Sequence, residues 1–210
     1  MLEIYTIPVS LYSAKLRILL RHKNLEWQEQ LPPGGYGSDE YKGIVASGNL
    51  PALVDGDLQL ADSEAIAEYL NEKFPDPAML PEDIGQRAKV RELGRFHDTR
   101  LEPALRKMFP QLSTDERDPE LNAAQSLEIS TRLKQLETLL EDLPASNALM
   151  LSDCGFVITF AWIDALTPVF SLDITWPQNL LAWRQKIESY PAVAEELAEY
   201  RPKLAERLDG

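Results

Sequence analysis

The stretch Ser47 to Tyr69, Ser-Gly-Asn-Leu-Pro-Ala-Leu-Val-Asp-Gly-Asp-Leu-Gln-Leu-Ala-Asp-Ser-Glu-Ala-Ile-Ala-Glu-Tyr, constrains the fold more than any other part of the chain. It reads as a β-hairpin feeding directly into a helix. Ala52-Leu53-Val54 and Leu58-Gln59-Leu60 are short apolar strands, and Asp55-Gly56-Asp57 supplies the glycine that a tight hairpin turn needs for positive φ. Asp62-Ser63 stands where a helix begins, with Ile66, Tyr69 and Leu70 following at the i, i+3, i+4 spacing of one face. Pro51 takes the first position of a strand, where a missing N–H is tolerated and a cis bond would turn the preceding backbone outward. Asp62-Ser63 puts a carboxylate and a hydroxyl at a helix N-terminus, whose free N–H groups favour a carboxylate ligand. On spacing alone, a hairpin capped onto a helix with no ligand is an equal reading.

The flanking sequence extends this unit. Leu2 to Ile7 is β-rich, and Pro8 to Tyr12 reads as a turn. From Ser13 the pattern is helical, with Leu16, Leu19 and Leu20 on one stripe and Lys15, Arg17, Arg21 and His22 elsewhere. Leu25 to Leu31 reads as a second strand, Pro32 to Gly37 as a loop, and Ser38 to Val45 as a short helix. The order βαβαββα suits a thioredoxin-like sheet whose first two strands are parallel and joined by a crossover helix. Phe74-Pro75-Asp76-Pro77-Ala78-Met79-Leu80-Pro81 then ends the helix with a semi-rigid, proline-rich connection. Beyond it, helical spacing runs over Ile84–Phe109 with a kink expected at Pro103, then over Pro119–Leu143, Thr159–Phe170, Asn179–Tyr190 and Ala192–Leu208. The expected class is α+β: a thioredoxin-like domain over residues 1–76, a linker over 77–85, and an all-α helical bundle over 86–210.

Composition narrows the function. A formal net charge of −13 argues against nucleic acid and anionic membrane surfaces as partners. Cys154 is the single cysteine, so no internal disulfide framework exists. The start, Met1-Leu2-Glu3-Ile4, has neither a basic nor a long apolar leader, and the expected compartment is a reducing cytoplasm. His22 and His97 offer no metal-ligand spacing, so no metal is expected.

Asn49-Leu50-Pro51, the hairpin and Asp62-Ser63-Glu64-Ala65-Ile66-Ala67-Glu68-Tyr69-Leu70 together resemble the glutathione-binding half of soluble glutathione S-transferases. The resemblance implies that Leu50, ahead of a cis Pro51, pairs its backbone with the cysteinyl part of glutathione. It implies that Asp62 and Ser63 hold the γ-glutamyl end, although the family more often has Glu or Gln at the position of Asp62. Asn49 would hydrogen-bond the tripeptide, or else serve as a turn residue. The run Ser10-Leu11-Tyr12-Ser13 resembles the start of the first helix in the serine-type classes (theta, phi and zeta), which makes Ser10 the expected catalytic residue. Ser is also a preferred helix cap, and the two roles are compatible. Tyr12 is a second hydroxyl near the site. Tyr5 falls one residue from the position of the tyrosine that other classes use, which turns it to the other face of the strand and into the core.

The activity implied is glutathione transfer, with glutathione as co-substrate and a small electrophile as second substrate, by a homodimer. The second-substrate pocket is expected to include Tyr12, Arg100 and Arg106; on an exposed helix the two arginines are otherwise a solvated face. Two alternatives stay open: a zeta-like glutathione-dependent isomerase or dehalogenase, and a binding protein of the same fold without turnover. The family usually opens its buried central helix with Ser/Thr-x-Ala-Asp; the nearest match here is Thr159-Phe160-Ala161-Trp162, with Ser152-Asp153 as a possible earlier cap.

Overall fold

The computed structural model describes residues 1–113, 117–143 and 146–209. Its amino-terminal part contains β1 (Leu2–Tyr5), α1 (Leu11–His22), β2 (Trp27–Gln30), α2 (Asp39–Lys42), β3 (Ala52–Asp55), β4 (Leu58–Ala61) and α3 (Ser63–Lys73). The sheet order is β2-β1-β3-β4. β1 runs parallel to β2, with Leu2 opposite Trp27, and antiparallel to β3, with Ile4 opposite Leu53. The parallel pair requires the crossover through α1, and the β3–β4 pair requires only a tight turn at Gly56, whose φ is +61°. This is the thioredoxin-like βαβαββα arrangement expected from the sequence.

The connection at 74–83 contains a cis Asp76–Pro77 bond, and Lys23 Nζ donates to the carbonyls of Phe74 and Pro77 at 2.7 Å each. After it come α4 (Ile84–Phe96), a π-helical turn (His97–Leu101), α5 (Glu102–Arg106), a 3₁₀ turn (Phe109–Ser113), α6 (Pro119–Glu141), α7 (Asp153–Phe170), α8 (Gln178–Glu188) and α9 (Pro191–Asp209). Helical periodicity predicted one helix over Ile84–Phe109 kinked at Pro103; the break is instead a π turn just ahead of that proline. Pro103 has no N–H to give the Thr99 carbonyl, and the Glu102 amide donates to the His97 carbonyl five residues back.

α7 begins at Asp153, earlier than the match at Thr159 suggested. Asp153 Oδ2 accepts the Met150 amide at 2.9 Å, which is the carboxylate half of a capping box over 150–153 with Met where the hydroxyl residue would stand. Burial pushes the Asp153 carboxyl up to about 7, against the pull of the Met150 amide and the Ser152 hydroxyl. α7 is long and apolar enough to cross a membrane, but 72% of it is buried inside the fold. Its apolarity supplies the core: Phe156, Ile158, Phe160 and Ile163 are fully enclosed.

α1 is where the two halves meet, packing against α3, α7 and α9. Its leucine stripe is buried as expected, and so are Lys15 and Arg17, which the sequence pattern left off that stripe. The structure explains this by partners. Arg17 lies 2.8 Å from Glu196 of α9, and Arg21 lies 3.1 Å from the same carboxylate. Burial raises the Glu196 carboxyl while the two guanidiniums oppose that rise. A buried cation of this kind persists only when a carboxylate accompanies it.

Candidate functional site

A cavity of about 850 Å³ opens where the β1–α1 turn, the loop before β3 and the start of α3 face α4, α7 and α9. Of the residues singled out by sequence, Ser10, Tyr12, Asn49, Leu50, Asp62, Ser63 and Arg106 line it. Pro51 and Arg100 are not among its lining residues. Arg100 sits in the π turn, which rotates the helix surface away from a regular i, i+3 count and leaves it exposed.

Ser10 caps α1. The Ser13 amide and the Ser13 hydroxyl both donate to its Oγ, at 3.2 and 2.9 Å. A hydroxyl has two acceptor sites and one proton. With the Ser13 hydroxyl as donor, both acceptor sites are engaged and the Ser10 proton can be donated, and Ser10 stands half-buried at the cavity wall. The α1 N-terminus adds its unpaired amides and partial positive charge at the same place. Capping and donation are thus served by one geometry.

Tyr12 is placed differently. Its hydroxyl donates to Glu102 Oε2 at 3.1 Å, so its proton is already engaged. Burial and the Glu102 and Asp98 carboxylates drive the phenol far above its ordinary range. Arg106 pairs with Glu102 and lies over the Tyr12 and Phe109 rings, 5.7 and 5.3 Å from their centroids. Tyr5 packs against Tyr41 at 5.5 Å and is not among the cavity's lining residues.

On the opposite side of the sequence motif, the Leu50–Pro51 bond is cis and Leu50 is buried. The Asn49 carbonyl accepts the Tyr41 hydroxyl at 2.9 Å, which fixes the backbone just ahead of it. Asp62 has φ +86°, a conformation rarely taken by a residue with a side chain and costing about 1–3 kcal/mol. Its Oδ1 accepts the amides of Glu64 and Ala65 at 2.9 and 3.1 Å, so the strained residue is held by the α3 terminus that it caps. Its Oδ2 is free of that cap. Ser63 follows at the cavity wall, only 7% exposed.

A buried charge network behind this wall had no signature in the sequence. Lys15 Nζ lies 2.5 Å from Glu64 Oε2 and 3.3 Å from Asp98 Oδ2. His97 bridges Asp98 Oδ1 through Nδ1 and Thr159 Oγ1 through Nε2, each at 2.7 Å. Burial works against ionisation of Asp98, but the His97 hydrogen bond and the Lys15 charge prevail and bring its carboxyl down to about 2. Asp98 lines the cavity, so this network fixes the carboxylate on the wall facing α3. The residues come from four separate elements and only the π turn brings His97 and Asp98 to one place.

Residues 4–78 match the family model described as glutathione S-transferase, N-terminal domain. The whole chain superposes on the solved delta-class glutathione transferase of Nilaparvata lugens, covering 100% of this chain and 99% of that one, with a TM-score of 0.83 at 21% identity. Residues 4–78 thus carry the glutathione S-transferase N-terminal domain, and the chain as a whole has the glutathione transferase fold. Among curated glutathione S-transferase relatives, glutathione S-transferase Z1 of Arabidopsis thaliana is 39% identical over 90 residues, 41% of each chain. The stringent starvation protein A homolog of Coxiella burnetii is 35% identical over 80 residues, 38% of each chain. The chain therefore spans about two fifths of the length of these curated relatives. The fold neighbour extends the glutathione S-transferase architecture over the helical half, beyond the residues that the family model matches.

Proposed function

We propose that the chain is a glutathione transferase in which Ser10 donates a hydrogen bond to the glutathione thiolate. The observation that carries this reading is the Ser10 hydroxyl at the α1 N-terminus, accepting from Ser13 and in one cavity with Leu50, Asp62 and Ser63. An ordinary thiol of pKa ~8.5 is about 3% ionised at pH 7. Lowering it by ~2 units makes it roughly three-quarters ionised and corresponds to ~2.7 kcal/mol of preferential thiolate stabilisation. A hydrogen bond to a charged group contributes about 1.5–3 kcal/mol and a helix N-terminus about 0.3–1 kcal/mol, which together reach that figure.

In this reading Asp62, Ser63 and Asn49 hold the tripeptide and the Leu50 backbone pairs with its cysteinyl unit. The thiol proton passes to solvent and the sulfur bonds to the electrophilic carbon. In a substitution, the leaving group departs with its electron pair. Residues 1–76 would bind glutathione, and the helices of 86–210, with Arg106 and Tyr12, would wall the second substrate. A homodimer in a reducing, cytoplasmic compartment completes the proposal; the lone Cys154 is buried, in keeping with a structural thiol.

Calorimetric titration with glutathione, paired with glutathione-dependent chloride release from 1-chloro-2,4-dinitrobenzene, tests it. Binding with chloride release is expected. Binding without turnover on any electrophile would turn the reading to a glutathione-binding protein without catalysis, and absence of binding would overturn it.

A further inference from the structure

Arg207 lies in the last turn of α9, and its side chain lines the cavity. Two other guanidiniums line the same space, and each has a carboxylate beside it: Arg95 is 3.6 Å from Asp98, and Arg106 is paired with Glu102. Arg207 has no hydrogen-bond or ion-pair partner among the described residues. In a chain with 34 acidic residues against 21 basic ones, a cavity arginine left without a carboxylate is a notable local surplus of positive charge.

The stretch of α9 that carries it is anchored from behind, while Arg207 itself is exposed. Tyr200 precedes Arg207 by two helical turns, at the i, i+7 spacing that keeps both on one face of α9. The Tyr200 hydroxyl accepts from Trp162 Nε1 at 2.7 Å and donates to the Val9 carbonyl at 2.9 Å. Leu204, between the two, is 1% exposed, so this stretch of α9 is anchored in the core. Trp162 packs on Phe109 with ring centroids 4.7 Å apart, and Phe109 carries the Arg106 guanidinium on its face. Trp162, Phe109 and Leu112 give the cavity an apolar aromatic wall. Arg106, over the Phe109 ring, is neutralised by Glu102, whereas Arg207 lines the same cavity with no such partner among the described residues.

We propose that Arg207 selects second substrates that carry a carboxylate on a flat apolar body, holding the anion while Trp162 and Phe109 hold the body. The inference rests on the transferase reading of the cavity. It makes Arg207 a specificity-determining residue that the sequence pattern did not single out.

The test compares 4-chloro-3,5-dinitrobenzoate with its methyl ester at saturating glutathione. In each reaction the sulfur bonds to the ring carbon and chloride leaves with the bonding pair. The acid-to-ester ratio of kcat/KM is expected to fall about tenfold in Arg207→Gln, the size of a charge-assisted contact at a partly open site, with partial recovery in Arg207→Lys and no change in the glutathione KM. An unchanged ratio, a parallel fall for both substrates, or an effect confined to the glutathione KM would overturn the proposal. If neither compound turns over, the chlorine-free pair, 3,5-dinitrobenzoate and its methyl ester, is titrated by calorimetry. Tighter binding of the acid that Arg207→Gln abolishes would uphold Arg207 and remove only the transferase reading. Equal binding of acid and ester would remove Arg207 as well.

Discussion

Replacing Gly155 with alanine tests how firmly the His97 ring is held against α7. An added Cβ would meet His97 Cε1 at 2.6 Å, Nδ1 at 2.8 Å and Nε2 at 3.1 Å, closer than packed atoms allow. Two effects compete. Ala for Gly in a helix ordinarily stabilises by about 0.5–1 kcal/mol. Overpacking a filled core costs about 1–3 kcal/mol. The ring has no easy retreat, because moving it breaks the Asp98 and Thr159 hydrogen bonds, each contributing about 1 kcal/mol, and disturbs its edge contact with Phe156 at 5.0 Å. The expected net result is a loss of about 1–2 kcal/mol, read from urea unfolding midpoints at constant m. In a His97→Ala background the same change is expected to become stabilising, because the obstructing ring is gone. A Gly155→Ala single variant more stable than wild type would refute the reasoning.

Three further outcomes follow from the electrostatics. The Asp98 carboxyl is held down at about 2, so its contribution of roughly 2 kcal/mol is present above the unfolded-chain value near 4 and lost as pH falls through 2; acid unfolding curves of Asp98→Asn should lack this component. Asp153 has the opposite sign: with a folded value of about 7, the native state binds more protons, and stability should decline between pH 4 and 7. Asp153→Asn keeps an acceptor for the Met150 amide and should flatten that decline, as followed by chemical denaturation at several pH values. Tyr12→Phe removes the hydrogen bond to Glu102 but keeps the ring under Arg106, so conjugation kcat should change by less than about threefold, against at least tenfold for Ser10→Ala.

The amino-terminal half was legible because its signals are local. Gly56 in the hairpin, Pro51 at a strand start, and Asp62-Ser63 ahead of Ile66 and Leu70 each act within a few residues, and the structure has the hairpin and helix where that pattern puts them. The helical half was legible in class and less so in detail. Periodicity cannot register an inserted residue, so the pattern predicts a continuous helix through His97–Leu101 and places Arg100 in a pocket that it does not line. The capping box at 150–153 was hidden because Met150 lacks the hydroxyl that makes such a box visible, while its carboxylate partner does its work through the backbone. The burial of Lys15 and Arg17, which lie off the leucine stripe, is not visible in the sequence because it depends on carboxylates far off along the chain, at Glu64, Asp98 and Glu196. Arg207 gave no signal at all, since an arginine in a last helical turn ordinarily interacts with the helix C-terminus.

The most direct measurement is the thiol pKa of bound glutathione, followed by ultraviolet thiolate absorbance across pH in wild type and Ser10→Ala. A value lowered by ~2 units in wild type that returns toward the free thiol in the variant is expected, since Ser10 is the hydroxyl among the described residues that caps the α1 terminus while accepting from Ser13. Bound glutathione with an unshifted thiol in wild type, or a shift that survives in Ser10→Ala, would contradict the role given to Ser10.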